Sequence, residues 1–236
     1  MLRPLLAQLR VELILTLRRG ENLLVTLVVP VLVLVFFGAV AATPIDFLVP
    51  GVLALAIMST SMVSLGIATA YERYYGVLKR LLGSPLPHLS LLAARTLSTL
   101  IVELVQVGLL STIARLAFGW SPTGSAPLAG LALLLGSIAF AGLGLLMAGT
   151  LRAEATLALA NGLYLVFLLL GGFIFPLERL PAAVAAIAQA LPPGLLSGAT
   201  RAALSQDAQA AFGPLALLAL WALLTMAAAG RTFRAD

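Results

Sequence analysis

Cysteine is missing from this sequence altogether, and histidine, lysine and aspartate are nearly so. Without cysteine there is no disulfide, no thiolate nucleophile and no sulfur-ligated metal. The one histidine, His88, cannot build a His-rich metal site within one chain. The one lysine, Lys79, is preceded by Arg73-Tyr74-Tyr75-Gly76-Val77-Leu78, which is not a G-x-x-x-x-G-K-[ST] phosphate loop. The aspartates, Asp46, Asp207 and Asp236, all lie outside the long apolar runs, so an intramembrane aspartyl pair is excluded. No G-x-S-x-G occurs to present a serine to His88. A catalytic role is therefore not expected, and neither is a cofactor or metal held by this chain. Charge is scarce too, at 10% of residues against about 25% in soluble domains.

What the chain has instead is apolar length: 61% of its residues are hydrophobic. A bilayer crossing takes about 20 mostly apolar residues, and six such runs stand out, at 23–40, 47–71, 96–114, 127–151, 155–177 and 213–230. The expected fold is all-α, one polytopic membrane domain over 1–236. Spans 1 and 2 lie within 23–71, spans 3 to 5 within 89–177 and span 6 at 213–230. Placing the N-terminus in the cytoplasm puts eleven of the fourteen arginine and lysine residues on that side, leaving Arg115, Arg179 and Arg201 opposite. The positive-inside rule then makes both termini cytoplasmic. The net charge of +5 is spread between apolar runs, which suits lipid head groups rather than nucleic acid.

Residues 1–22 read as an interfacial helix, with Gln8, Glu12, Thr16 and Arg19 on one polar stripe. The basic start and Ala39-Val40-Ala41 also fit a signal-peptide pattern, but the six-span reading keeps the segment. The stretch 178–212, broken by Pro181, Pro192 and Pro193, reads as external or re-entrant. Inside span 3, Glu103 is followed one turn later by Gln106. A buried carboxyl faces a bundle interior or a water cavity, so both residues, with Asn161 of span 5, are candidates for a substrate path. A hydrogen bond of Glu103 with Gln106, or with a partner on another helix such as Asn161, is the structural alternative. Arg95 and Arg115, flanking span 3, are expected to snorkel to opposite interfaces. Small residues (Ser59, Ser61 and Gly66 in span 2; Gly142, Gly144, Ala148 and Gly149 in span 4; Gly171 and Gly172 in span 5) are expected at close helix contacts.

The segment between spans 2 and 3 is the most informative. At about 100° per residue, Tyr74, Tyr75, Val77, Leu78, Leu81 and Leu82 share one arc, and Arg73, Gly76, Lys79, Arg80 and Gly83 the other. A two-faced cytoplasmic helix held between membrane spans suits a lever pushed by a soluble partner, or a plain surface anchor.

Several stretches together resemble the type 2 ATP-binding-cassette permeases, six-span subunits of bacterial drug, lipid and polysaccharide exporters. They are the arginine-rich opening (Arg10-Val11-Glu12 through Arg18-Arg19-Gly20-Glu21-Asn22) and Asp46-Phe47-Leu48-Val49-Pro50-Gly51. The run Glu72-Arg73-Tyr74-Tyr75-Gly76-Val77-Leu78-Lys79-Arg80-Leu81-Leu82-Gly83-Ser84-Pro85-Leu86 is the most specific. Gly171-Gly172-Phe173-Ile174-Phe175-Pro176 with Leu180-Pro181, and later Pro192-Pro193, completes the set. The resemblance implies that 72–88 is a coupling helix and its loop. It assigns Glu72, Arg73, Gly76, Val77, Leu78, Lys79, Arg80, Leu81 and Pro85 to contact with an ATPase subunit, with Gly76 permitting close approach. It further implies a second permease copy, ATP and Mg on the partner ATPase, surrounding membrane lipids, and residence in the bacterial inner membrane. A haem-exporter branch of the same family, an ion-coupled carrier using Glu103, and a channel remain open alternatives.

Overall fold

The computed structural model describes residues 9–14, 20–40, 43–77 and 88–232. They are helical almost throughout, and no strand occurs among them. The order is α1 (Gly20–Val35), continued as a π-helix over Phe36–Val40, then α2 (Ile45–Tyr74), α3 (His88–Phe118), α4 (Ala126–Thr150) and α5 (Ala153–Leu170). After a turn come α6 (Ala182–Ala190), α7 (Pro192–Leu204) and α8 (Phe212–Thr232). Five of these, α2, α3, α4, α5 and α8, are long and apolar enough to cross a membrane. Thr26–Val40, within the first expected crossing, is a shorter apolar helix, and α6 with α7 makes a sixth span if the bent pair crosses as one.

The core gathers around α2, the most enclosed of the long helices. Leu48, Leu55, Ile57, Met58 and Met62 are buried there against Phe140 of α4, Phe173 and Leu196. Glycine makes the closest approaches possible. A Cβ on Gly66 would stand 3.0 Å from the Cα of Gly144, and one on Gly144 would stand 2.8 Å from the carbonyl oxygen of Met62. Gly142 similarly admits Thr225 of α8, whose hydroxyl donates to Ala139 O at 3.0 Å. Gly66, Gly142 and Gly144, among the small residues expected at contacts in spans 2 and 4, thus serve packing within one bundle.

Four features differ from the sequence reading. Span 5 ends at Leu170 rather than near 177, because Gly172 takes φ 62° and turns the chain. Gly171 and Gly172 therefore terminate the helix instead of lying inside it. Helix α3 begins at His88, within what was expected to be loop. Arg95 is not an interfacial snorkel but a buried residue, 4% exposed. Finally, α2 is not a uniform α-helix: Ser59–Ser64 is a π-helical segment in mid-span. The 178–212 stretch forms α6 and α7, which meet at 80°, with Pro192 and Pro193 in the first turn of α7 where a missing N–H costs nothing.

Candidate functional site

Among the described residues, two polar groupings and two cavities stand out as candidates in the apolar bundle. The first grouping sits where α2 ends and α3 begins. Arg95 Nη1 donates to Thr69 Oγ1 at 2.9 Å, Nη2 donates to Glu72 Oε2, and Nε lies 3.5 Å from Glu12 Oε1. The guanidinium fork therefore ties α2, α3 and the helical 9–14 stretch together. Next to it, Arg73 Nη2 donates to the carbonyl of Leu151, the residue that closes the C-terminus of α4. A cation there satisfies an orphan carbonyl and complements the helix dipole. These bonds fasten the ends of α2, α3 and α4 on one side of the bundle.

Immediately beyond, α2 stops. Tyr75 N donates to Tyr71 O and Gly76 N to Arg73 O, and Gly76 takes φ 70°. A left-handed residue closing a helix is ordinarily glycine. A Cβ at Gly76 would meet nothing within 4 Å among the described residues, so the glycine is there for its backbone angle and not for a close approach inside the chain. Tyr74 is the last residue of α2, Tyr75 caps it, and Val77 lies just past the break. The two-faced helix expected over this segment continues into 78–83, which lie outside the described residues.

Of the coupling residues expected from the sequence, Glu72 and Arg73 face inward into these ties, while Gly76 and Val77 lie at the break. Leu78, Lys79, Arg80, Leu81 and Pro85 lie outside the described residues. Sequence reasoning missed Arg95 as the partner of Glu72, and Thr69 and Glu12 as the other groups held by its guanidinium. The available signal was the opposite charge of Glu72 and Arg95 at facing ends of consecutive spans.

The second grouping lies at mid-bundle. Ser61 Oγ donates to Glu103 Oε1 and stands 3.2 Å from Ser137 Oγ of α4. Thr60 Oγ1 donates to Gln106 Oε1 at 2.9 Å, and Gln106 Nε2 donates to the Thr26 carbonyl of α1 at 2.9 Å. Thr60 and Ser61 both belong to the π segment, where the widened turn leaves polar groups for α3. Asn161 is not part of this layer. It is exposed, and its side-chain amide donates to Leu157 O of its own helix at 2.9 Å.

Asn161 instead lines a cavity of about 710 Å³ with Thr26 and Val29 of α1, Ser59, Tyr71 and Glu72 of α2, and Tyr164 of α5. It reaches Tyr75 and Val77, so its mouth adjoins the break at Gly76. Glu103 and Gln106 do not line it. A smaller groove of about 350 Å³ lies on the other side of α3, against α4, with Glu103 at its edge. No cluster of three or more metal-ligating side chains occurs among the described residues.

Comparison with known proteins places these features in a family. The family described as "ABC-2 type transporter" matches residues 5–204. A protein of Bacillus subtilis (strain 168), described as "Putative transport permease YvfS", is 27% identical over 143 residues, covering 58% of this chain. The alignment spans 56% of that relative's length. The chain belongs to the ABC-2 type transporter family.

Proposed function

We propose that this multi-pass ABC-2 type chain is the permease subunit of an ATP-binding-cassette exporter, driven by a separate ATPase that carries the ATP and Mg. The reading places it in a bacterial cytoplasmic membrane with both termini inside, paired with a second permease copy. Its cargo is hydrophobic or amphipathic, a drug, lipid or lipid-linked glycan, to suit a cavity walled by Val29, Val63, Ile67 and the rings of Tyr71, Tyr75 and Tyr164.

The observation that carries the proposal is the Glu12–Arg95–Glu72 tie directly beside the break at Gly76. A force applied to the segment after Gly76 enters α2 and α3 together, because their ends share one guanidinium. Through Arg73 it also reaches the α4–α5 turn. The ATPase need only move one short segment for several spans to shift as a body, and the 710 Å³ cavity adjoins that point. Glu103 lies away from that cavity, which favours this reading over an ion-coupled carrier with Glu103 in its path.

The test reverses the charge of the segment. Lys79→Glu with Arg80→Glu is expected to abolish co-purification of a co-expressed cassette ATPase and its stimulation in proteoliposomes, with the permease still folded. Co-purification at wild-type yield, or transport that persists without ATP but not without a proton gradient, overturns the proposal.

A further inference from the structure

The 350 Å³ groove between α3 and α4 is separate from the cavity beside Gly76, and its composition is unusual. Ile101, Leu104, Leu133 and Leu134 are typical of its walls, and Glu103 is its only charged lining residue. Its volume falls within the range of small-molecule sites, about 300–1,000 Å³. Leu104 is 74% exposed and Ile101 38%, so the groove opens outward from the bundle. Gly130 of α4 forms part of the wall, and a Cβ there would meet nothing within 4 Å.

The carboxyl of Glu103 is held from inside the bundle, by the hydroxyls of Ser61 and Ser137. Oε1 accepts from Ser61, whereas Oε2 is buried and has no hydrogen-bond partner among the described residues. Serving the internal layer would need no contact with an outward groove. A buried, unsatisfied carboxyl oxygen is costly unless the group is protonated or a donor reaches it. A donor that reaches it by way of an apolar groove open to the surround arrives on a molecule that is itself apolar.

We propose that this groove is a binding site for a lipophilic amine, its chain lying along α3 and α4 and its ammonium donating to Glu103 Oε2. The apolar walls take the chain, and the paired charges neutralise each other away from water. A long-chain alcohol fills the groove equally well but brings no positive charge, and an alkane brings no donor at all. The site does not depend on the export reading, since binding can be measured without any ATPase.

The test uses the full chain in phosphatidylcholine nanodiscs with a photoactivatable dodecylamine, and the matching dodecanol and dodecane probes. Labelling by the amine is expected on α3 and α4 around Ile101, Leu104 and Leu134, and excess unlabelled dodecylamine should compete it away. Gly130→Phe should abolish it by filling the groove while leaving Glu103 and Ser61 untouched. Gly108→Phe, on α3 where a Cβ likewise meets nothing within 4 Å, should leave it intact. Glu103→Gln, which can still accept from Ser61, should weaken amine binding at least about tenfold and leave the alkane probe unchanged. Labelling that survives Gly130→Phe overturns the site. Equal competition by dodecanol, or equal amine affinity in Glu103→Gln, overturns the role given to the carboxyl.

Discussion

Arg95→Met is the sharpest perturbation of the base of this bundle. The side chain of Arg95 is 4% exposed, and those of Glu72 and Glu12 are each 12% exposed. Methionine keeps much of the aliphatic stem but withdraws the guanidinium from two enclosed carboxyl groups and from Thr69 Oγ1. Breaking a buried ion pair from one side typically costs about 3–5 kcal/mol, because the remaining charge keeps its burial and loses its compensation. For a chain of this size each kcal/mol lowers Tm by about 2–4 °C, so a fall of about 6–20 °C is expected. The assay is thermal unfolding in detergent, followed by the emission of Trp120 and Trp221. Arg95→Lys should recover only part of the loss, since a point charge cannot serve three partners from a planar fork. Arg95→Met with Glu72→Met should recover part of the loss, because it removes one of the two stranded carboxyls and leaves Glu12. A single mutant that melts within about 2 °C of wild type refutes the clasp. A double mutant that melts no higher than the single refutes the charge argument.

Other consequences can be checked as directly. Gly144→Val should lower Tm by more than Arg95→Met does, because its Cβ would stand 2.8 Å from Met62 O and 3.1 Å from Ser61 O, both backbone atoms of α2. Gly76→Ala should cost only about 1–2 kcal/mol, from the positive φ alone, and Gly76→Asn less; a larger loss measured by the same unfolding assay would mean the site is crowded. Gln106→Leu removes the bonds to Thr60 and the Thr26 carbonyl, and should destabilise by about 1–2 kcal/mol in detergent melts, whereas Asn161→Leu should change stability by less than about 0.5 kcal/mol.

The apolar runs were legible because a bilayer sets their length and sequence alone shows where they stop. The small residues were legible for a related reason, since glycines such as Gly66 and Gly144 let backbones approach without a side chain between them. What sequence did not reveal was partnership across helices. Ser61 was visible as a small residue but not as the donor to Glu103, because the π segment that turns it there has no clear signal in Ser59–Ser64. Arg95 has the position of an interfacial arginine, and only the fold shows that Glu12, Thr69 and Glu72 converge on it. Asn161 looked like a natural partner for a buried carboxyl, yet a helical asparagine can satisfy itself on the preceding turn, and this one does.

The polar contacts between α2 and α3 follow one rule. Thr60 meets Gln106, Ser61 meets Glu103, and Thr69 and Glu72 meet Arg95: partners descend α3 nearly residue for residue as they ascend α2. That is the pattern of two antiparallel helices in one fixed register, fastened at mid-bundle and again at the base. Sliding α2 along α3 by a single turn would break every one of these contacts at once, each in surroundings where water cannot replace it. Shear between these two helices is therefore costly. A push delivered after Gly76 should carry α2 and α3 as a unit and be taken up where the packing is sparse. The least enclosed of the long helices is α5, which with α1 walls the large cavity opposite α2. Movement should therefore change the width of that cavity before it disturbs the Glu103 layer.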